Sequence, residues 1–404
     1  MPGPAENRLR ILVLCYEYPP IGGGGGVGAQ QYAEAWAQAG HQVTVLTSRD
    51  KGLPRRENVR GVDVIRVAAV GKKNRATATN LSMLCYLVSG TAYLLSHIRE
   101  LRKTEVINTH FSIPTGPLGM AAKTLLSAPN VLTIIGGDIY DPTKRGSPHR
   151  SAILRFCNSA IINSASSVVA ISSDTKRRAE EHYKVRKEIE VINYGFNPPE
   201  RTVPDRSSLG LSNGTYYLIA VGRLVKRKGF DYLIAAMKDL PDDIHLLLIG
   251  DGPLEPELRD AATKAGGGGR VSFLGYQARE RIWEYLQAAD CFVLSSHHEG
   301  LGIVVQEAMC AGLPVVATNN GGQVDLIRDG RNGILVDPMD SRALAAAILT
   351  LYSDRDLAAE MGRNNEEDIK RCFMAANREE YIRIFREGLQ ANPGTPPSRD
   401  RVKP

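Results

Sequence analysis

The chain has 404 residues and a mass of 44.0 kDa, a length that suggests two domains. Hydrophobic residues make up 43% and charged residues 23%, ordinary globular proportions that exclude a fibrous or wholly disordered chain. The net charge of +6 is unevenly spread: 25 basic and 16 acidic residues through Glu200 give +9, and the remaining 25 and 28 give −3. A basic half either attracts anionic partners such as lipid headgroups or phosphates, or is solvated surface. The six cysteines are scattered without a C-x-x-C, which argues against a zinc ribbon or a disulfide framework and fits a reducing cytosol. No secretory signal is read at the N-terminus.

Short apolar runs alternate with helical stretches along nearly the whole chain. Strands are expected at 9–15, 41–47, 62–67, 105–108, 130–135, 167–172 and 189–193. A second series follows at 216–222, 244–250, 270–275, 290–296, 314–318 and 333–337. Most are rich in Val, Ile and Leu without alternation, as in parallel strands buried on both faces, and helical segments separate them. This predicts an α/β chain with two doubly wound, Rossmann-like parallel-sheet domains. The first spans 1–195 and the second 216–365, joined by a Pro-, Ser- and Gly-rich linker at 196–215. The stretch 391–404 should be a disordered tail. Residues 76–98 carry no charge, but polar residues interrupt them, so a helix packed on the first sheet is expected rather than a membrane span.

The loop after the first strand holds five glycines, Gly22 to Gly26, and then Gly28, where a helix is expected to begin. Such loops let backbone N–H groups approach a phosphate at a helix N-terminus. Gly23, Gly25 and Gly28 formally match the dinucleotide fingerprint, but six residues separate the run from its strand and no acid closes the next one. Taken alone, the run also reads as a flexible surface loop. In the second domain Arg223 follows a strand, and Lys226, Arg227 and Lys228 open the next helix, where open α/β sheets bind ligands. Arginine and lysine there suit a diphosphate; a solvated basic turn is the bland alternative.

The most informative stretch is HHEGLGIVVQEAMCAGLPVVAT at 297–318. Glu299 falls in a strand-to-helix loop, and Glu307 lies in an otherwise apolar helix, where an acid needs a partner. Ribose hydroxyls would serve; so would a structural salt bridge. The only D-x-D, Asp354 and Asp356, sits in a helical stretch away from any strand end and reads as chance.

With these residues the chain resembles the retaining glycosyltransferases of the GT-B fold, family four (glycosyltransferases group 1), over essentially its whole length. The resemblance rests on the E-x7-E pair Glu299 and Glu307, GRLVKRKG at 222–229, GDGP at 250–253, Gly321-Gly322 with Asp325, and His110 in NTHF. It implies two domains facing a cleft, with a helix at 366–390 crossing back to the first. It also implies a nucleotide-sugar donor, UDP rather than GDP, and no metal or other cofactor. Arg223 and Lys228 would hold the diphosphate, Glu307 the ribose, and Glu299 the donor sugar, with backbone N–H groups from Gly302, Ile303 and Val304. Gly250 belongs to the donor loop, and the base would lie near Tyr276 and Gln277. His110, with Gly25 and Gly26, would face sugar and diphosphate from the first domain. Glu299, His110, Arg223 and Lys228 are the implied catalytic set.

The chain departs from the family where TIIGGD replaces T-x-H-G-x-D, leaving Ile135 at the histidine and Asp138 as an acceptor-side candidate. It departs again at Asn193-Tyr194-Gly195 in place of P-N-G. The expected acceptor is anionic, lipid-linked or a glycan. Cations among Lys51, Arg55, Arg56, Arg60, Lys72, Lys73 and Arg75 would allow reversible contact with an anionic membrane at its cytoplasmic face. Nucleic acid is not expected. The alternatives are a sugar-nucleotide-binding protein or a sugar-nucleotide epimerase on a similar two-domain fold; the first would be favoured by loss of Glu299, Arg223 or Lys228.

Overall fold

The computed structural model describes residues 8–71, 78–198, 200, 204–266 and 269–391. They form two compact units. One comprises the chain up to Tyr140, Gly146–Asn197 and the segment from Met374 onward; the other comprises Asp141–Arg145 and Pro198–Phe373.

The first unit contains β1 (Arg10–Cys15), α1 (Gly24–Gln38), β2 (Gln42–Ser48), β3 (Arg56–Val59), β4 (Val62–Val67), α2 (Asn80–Ser96) and α3 (Ile98–Leu101). After these come β5 (Val106–His110), α4 (Gly116–Leu126), β6 (Asn130–Ile134), α5 (Ala152–Ser164), β7 (Ser167–Ala170), α6 (Ser173–His182) and β8 (Ile189–Val191). Its eight strands run in the order β3-β4-β2-β1-β5-β6-β7-β8. Only β3 is antiparallel, and the strand expectations missed it. It is polar and half exposed, so it carries no apolar run. Its signal was the two-residue turn Arg60-Gly61, both at positive φ, the backbone of a tight hairpin.

The second unit contains β9 (Tyr216–Val221), α7 (Phe230–Ala236), β10 (Ile244–Ile249), α8 (Glu255–Lys264), β11 (Val271–Gly275), α9 (Arg279–Ala288) and β12 (Cys291–Leu294). It continues with α10 (Ile303–Cys310), β13 (Val315–Thr318), β14 (Gly333–Val336), α11 (Ser341–Ser353) and α12 (Arg355–Asp368). Its six strands are all parallel, in the order β11-β10-β9-β12-β13-β14. The sheet interior is Val, Ile and Leu because helices cover both faces. The last helix, α13 (Met374–Gln390), belongs to the first unit.

Three boundaries differ from the sequence expectation. First, α1 begins at Gly24, not near Gly28. Second, residues 204–215 are part of the second unit and not a free linker. Leu209 and Leu211 are buried, and Arg206 donates to the Ala288 carbonyl and the Asp290 carboxylate. Third, the span 366–390 is not one helix: α12 ends at Asp368, a tight 3-10 turn covers Ile369–Cys372, and α13 starts afresh after the extended Phe373. There α13 buries Tyr381 and Phe385 against Tyr32 and Trp36 of α1. The expected disordered tail lies, beyond Ala391, outside the described residues.

Among the described residues no helix is long and apolar enough to cross a membrane; the uncharged segment forms α2, which packs on the first sheet through Tyr86 and Leu94.

Candidate active site

In the second unit the loops at the carboxyl ends of β9, β10, β12 and β13 are threaded closely, and glycines permit it. A Cβ on Gly250 would fall 2.0 Å from the Gly222 carbonyl oxygen, and one on Gly229, 2.2 Å from the Ser295 carbonyl oxygen. Gly229 also has φ +61, and it ends the 3-10 turn Lys226–Lys228 and starts α7. That turn is tied to the end of β12: His297 N donates to the Arg227 carbonyl at 2.7 Å, and Ser295 Oγ to the Lys228 carbonyl at 3.0 Å. The basic turn is therefore fixed, and it is aimed at Glu299.

Glu299 is the centre of this arrangement. Its side chain is 10% exposed and forms a close ion pair with Lys228, while Arg227 Nη2 stands 3.7 Å from the other oxygen. Burial works against the negative charge, yet Lys228 and Arg227 hold the carboxyl at about 2. Its backbone is equally constrained. Glu299 bridges Gly321, and its carbonyl accepts from Gly322 N at 2.8 Å. Three residues on, Gly302 at φ +92 starts α10, whose first turn has no side-chain cap. Helix N-termini without caps leave N–H groups and positive dipole available to an anion. Gly302, Ile303 and Val304 are all partly accessible there.

Glu307 lies in the second turn of α10 with its side chain 12% exposed. Its partner is Arg279 at the start of α9, with Nε 2.9 Å from Oε1. Burial raises the carboxyl above the usual range, although Arg279 opposes the shift. Sequence pattern does not reveal this pair, beyond Arg279 standing two residues after Gln277 in the loop assigned to the base. Gln277 donates to the Leu274 carbonyl at 2.6 Å and so secures the end of β11, whereas Tyr276 is 78% exposed. Arg223 is exposed in the loop after β9. Lys228, Arg227, Glu299 and the start of α10 thus come together, and Glu307 is joined to Arg279 instead. Asp354 of the D-x-D caps α12 through Leu357 N, a structural task.

In the first unit the glycine run is a packed helix start. A Cβ on Gly25 would meet the Phe111 ring at 2.7 Å, one on Gly26 the Glu17 carbonyl oxygen at 2.7 Å, and one on Gly28 the Tyr194 ring at 2.4 Å. The Glu17 carboxylate accepts from Gly23 N at 3.1 Å, so an acid missed by the sequence reading already sits at this helix start. His110 is fully buried, with Nδ1 3.1 Å from the Tyr194 hydroxyl and no hydrogen-bond partner for Nε2. Burial pushes its imidazole down to about 3, so the ring is neutral at physiological pH and offers a hydrogen bond, not a charge. The ring expected to face sugar and diphosphate thus lies buried beside the Tyr194 hydroxyl.

Asp138 is buried too. Oδ1 accepts from Ile135 N at 2.9 Å and Gly136 N at 3.0 Å, and Oδ2 from Ser112 N at 2.6 Å. Three backbone amides occupy the carboxylate, which clamps the loops after β5 and β6. Burial nevertheless raises its pKa to about 6.

Two family models match the chain over most of its length: "Glycosyl transferase 4-like domain" at residues 23–195 and "Glycosyl transferases group 1" at 204–368. The chain belongs to the group 1 glycosyltransferases. It is similar to the N-acetyl-α-D-glucosaminyl L-malate synthase of Bacillus anthracis, 26% identical over 91% of this chain and 93% of that one. Among solved structures, sucrose-phosphate synthase from Thermosynechococcus elongatus matches with a TM-score of 0.82 and 25% identity, covering 95% of this chain and 100% of that one. Anabaena HepE, solved in complex with UDP and glucose, matches with a TM-score of 0.76 and 23% identity over 94% and 100%. The two parallel-sheet α/β units are those of the GT-B fold, and a group 1 glycosyltransferase acts on a nucleotide-sugar donor.

For this glycosyltransferase, Glu307→Gln should weaken nucleotide binding by about 1.5–3 kcal/mol, roughly 10–150-fold, if the carboxylate meets ribose hydroxyls as a charged acceptor. Calorimetric titration with UDP measures it. Unchanged affinity would leave Glu307 as the partner of Arg279 alone.

Proposed function

We propose that this glycosyltransferase is a metal-independent, retaining hexosyltransferase that uses a UDP-sugar. Its acceptor is anionic, lipid-linked or a glycan, and is met at the cytoplasmic face of a membrane. The observation that carries the reading is Glu299, a buried carboxylate kept ionised by Lys228 and Arg227 beside the uncapped start of α10. One anion and two cations held together suit a ligand with hydroxyls at one end and a diphosphate at the other.

In this reading Lys228, Arg223 and the first N–H groups of α10 neutralise the diphosphate as it departs, a stabilisation of charge developing in the transition state. Glu299 accepts hydrogen bonds from the donor sugar and fixes its orientation. The bond from the anomeric carbon to the phosphate oxygen breaks while a bond to the acceptor oxygen forms on the same face. The leaving phosphate takes the acceptor's proton, so no separate base is required. Neutral His110 carries no charge into this step.

Two results are expected. Turnover survives EDTA, because lysine and arginine supply the positive charge; loss in EDTA restored by magnesium or manganese would refute the reading. An α-linked donor gives an α-linked product, read from the proton coupling at the new anomeric bond; a β-linked product would show inversion.

The membrane part rests on the +9 charge of the N-terminal half. The cations first considered are not all available. Arg56 is engaged by Asp63 at 2.9 and 2.7 Å, and Arg60 by Glu34 at 2.9 Å. Lys51 and Arg55 are exposed, and Lys72, Lys73 and Arg75 lie outside the described residues.

A further inference from the structure

The first sheet is covered by helices on both sides, and the two sides differ. On one, Tyr86 and Leu94 of α2 and Leu118 and Ala122 of α4 pack with Leu12, Leu14, Leu46 and Ile107. There α5 continues the layer, with Ile161 and Ile162 against Leu132 and Ile134. On the other side α13 lies beside α1, and Tyr381 meets Thr133, the alternate residue of β6.

Large exposed apolar side chains gather on the α2–α4–α5 side. Leu81, Leu84, Val88 and Leu95 of α2 are between 53% and 65% exposed, and Ile153 and Phe156 of α5 are both 75% exposed. On α2 their spacing of three, four and seven places them in one stripe. Among the described residues α1 and α13, on the other side, carry none of the exposed large apolar side chains. Single exposed leucines are ordinary, but a stripe confined to one side marks a contact surface.

The charge around the stripe selects what touches it. Arg150 and Arg155 are exposed beside Ile153 and Phe156, and residues 146–173 hold no Asp or Glu. Arg99, Arg102 and Lys103 are exposed just beyond α2, with Glu100 between them standing 3.8 Å from Arg56. A second copy docking through the same face would set these cations against one another, since an isologous contact pairs like with like. An anionic bilayer answers both features, because apolar side chains enter the headgroup boundary while flanking cations meet lipid phosphates.

We infer that the outward faces of α2 and α5 form the docking surface of this enzyme on anionic lipid bilayers, with Leu81, Leu84, Val88, Ile153 and Phe156 as the inserting residues. The inference rests on the proposed membrane reading and assigns it a surface.

The test compares the full chain with Leu84→Asp/Val88→Asp and Ile153→Asp/Phe156→Asp. Each is sedimented with phosphatidylcholine vesicles made with and without phosphatidylglycerol, at low and high salt. All positions are exposed and outside the donor site, so thermal unfolding and slow donor hydrolysis in solution should match the parent. The parent should bind the anionic vesicles and lose binding in high salt, and each variant should partition at least about tenfold less. If the parent binds and the variants bind equally, this surface is wrong while membrane docking stands. If the parent binds no vesicle, the membrane reading falls and the surface with it. A parent dimer that the same substitutions dissociate would make the face a subunit interface and overturn the inference.

Discussion

Lys228→Ala should lower kcat by about 10²–10³, the equivalent of about 2.7–4 kcal/mol for one donor aimed at developing charge. Steady-state kinetics with a saturating nucleotide sugar measures the loss, and a change within about threefold would reduce the Lys226–Lys228 turn to a solvated one. The structure adds a pH signature. Burial is the largest influence on Glu299 and favours its neutral form, and Lys228 is the foremost of the groups that reverse it. Without Lys228 the more distant Arg227, at 3.7 Å, and His298 are left to oppose burial, so the pKa of Glu299 rises from about 2. The variant should therefore gain an acidic limb in its rate profile, losing activity as the pH falls, in a range where the parent is flat. Stability follows the same sign. A carboxyl whose folded pKa is depressed from 4.5 to about 2 stabilises the fold above pH 4.5, and the contribution disappears as pH falls toward 2. The gap between parent and variant, at most roughly 3 kcal/mol, should be widest near neutrality and narrow below about pH 4 in urea titrations. Lys228→Arg should recover part of the rate, because it restores charge without the same reach.

Gly321→Ala should be nearly as damaging although it removes no charge. Gly321 has φ +125, and a Cβ there would lie 2.5 Å from the Glu299 carbonyl oxygen and 2.6 Å from its amide nitrogen. Both neighbours are backbone and cannot rotate away, so the segment carrying Glu299 has to shift. A displacement of this size at a positioned group costs about 10²-fold in turnover, and the strained backbone roughly 1–3 kcal/mol in stability. Gly330→Ala is the control. It too has positive φ, at +74, but no atom lies within 4 Å of its Cβ position. It should lose a similar or smaller amount of stability and keep its rate. Equal rates for the two variants would separate the glycine pair from the positioning of Glu299.

The fold was largely legible because its strands are buried on both faces and advertise themselves as unbroken Val, Ile and Leu runs. The strand β3 escaped because an edge strand with solvent on one side has no such need. Chain boundaries were less legible, since residues 204–215 look like a linker by composition and are secured only by tertiary contacts of Arg206, Leu209 and Leu211. At the site, Glu299 and Glu307 stood out as acids in apolar surroundings. Their partners did not: Arg279 is 28 residues from Glu307 in the chain, and Lys228 is 71 from Glu299. Pattern identifies an acid that requires a partner, and only the folded chain chooses which cation supplies it. His110 shows the complementary limit, because a residue type at a strand end says nothing about whether its ring is sealed from water.

The placement of α13 bears on how the protein is made. The chain leaves its first unit at Asn197, builds all but five residues of the second, and returns at Met374 with the helix that covers Tyr32 and Trp36. During synthesis the first unit therefore waits, with those two aromatic rings uncovered, until the chain through Gln390 has emerged from the ribosome. The second unit is contiguous apart from five residues and can complete itself meanwhile. Expression of the first 197 residues alone should give a chain prone to aggregation, whereas the same fragment supplied with a peptide of residues 374–390 should be rescued into solution.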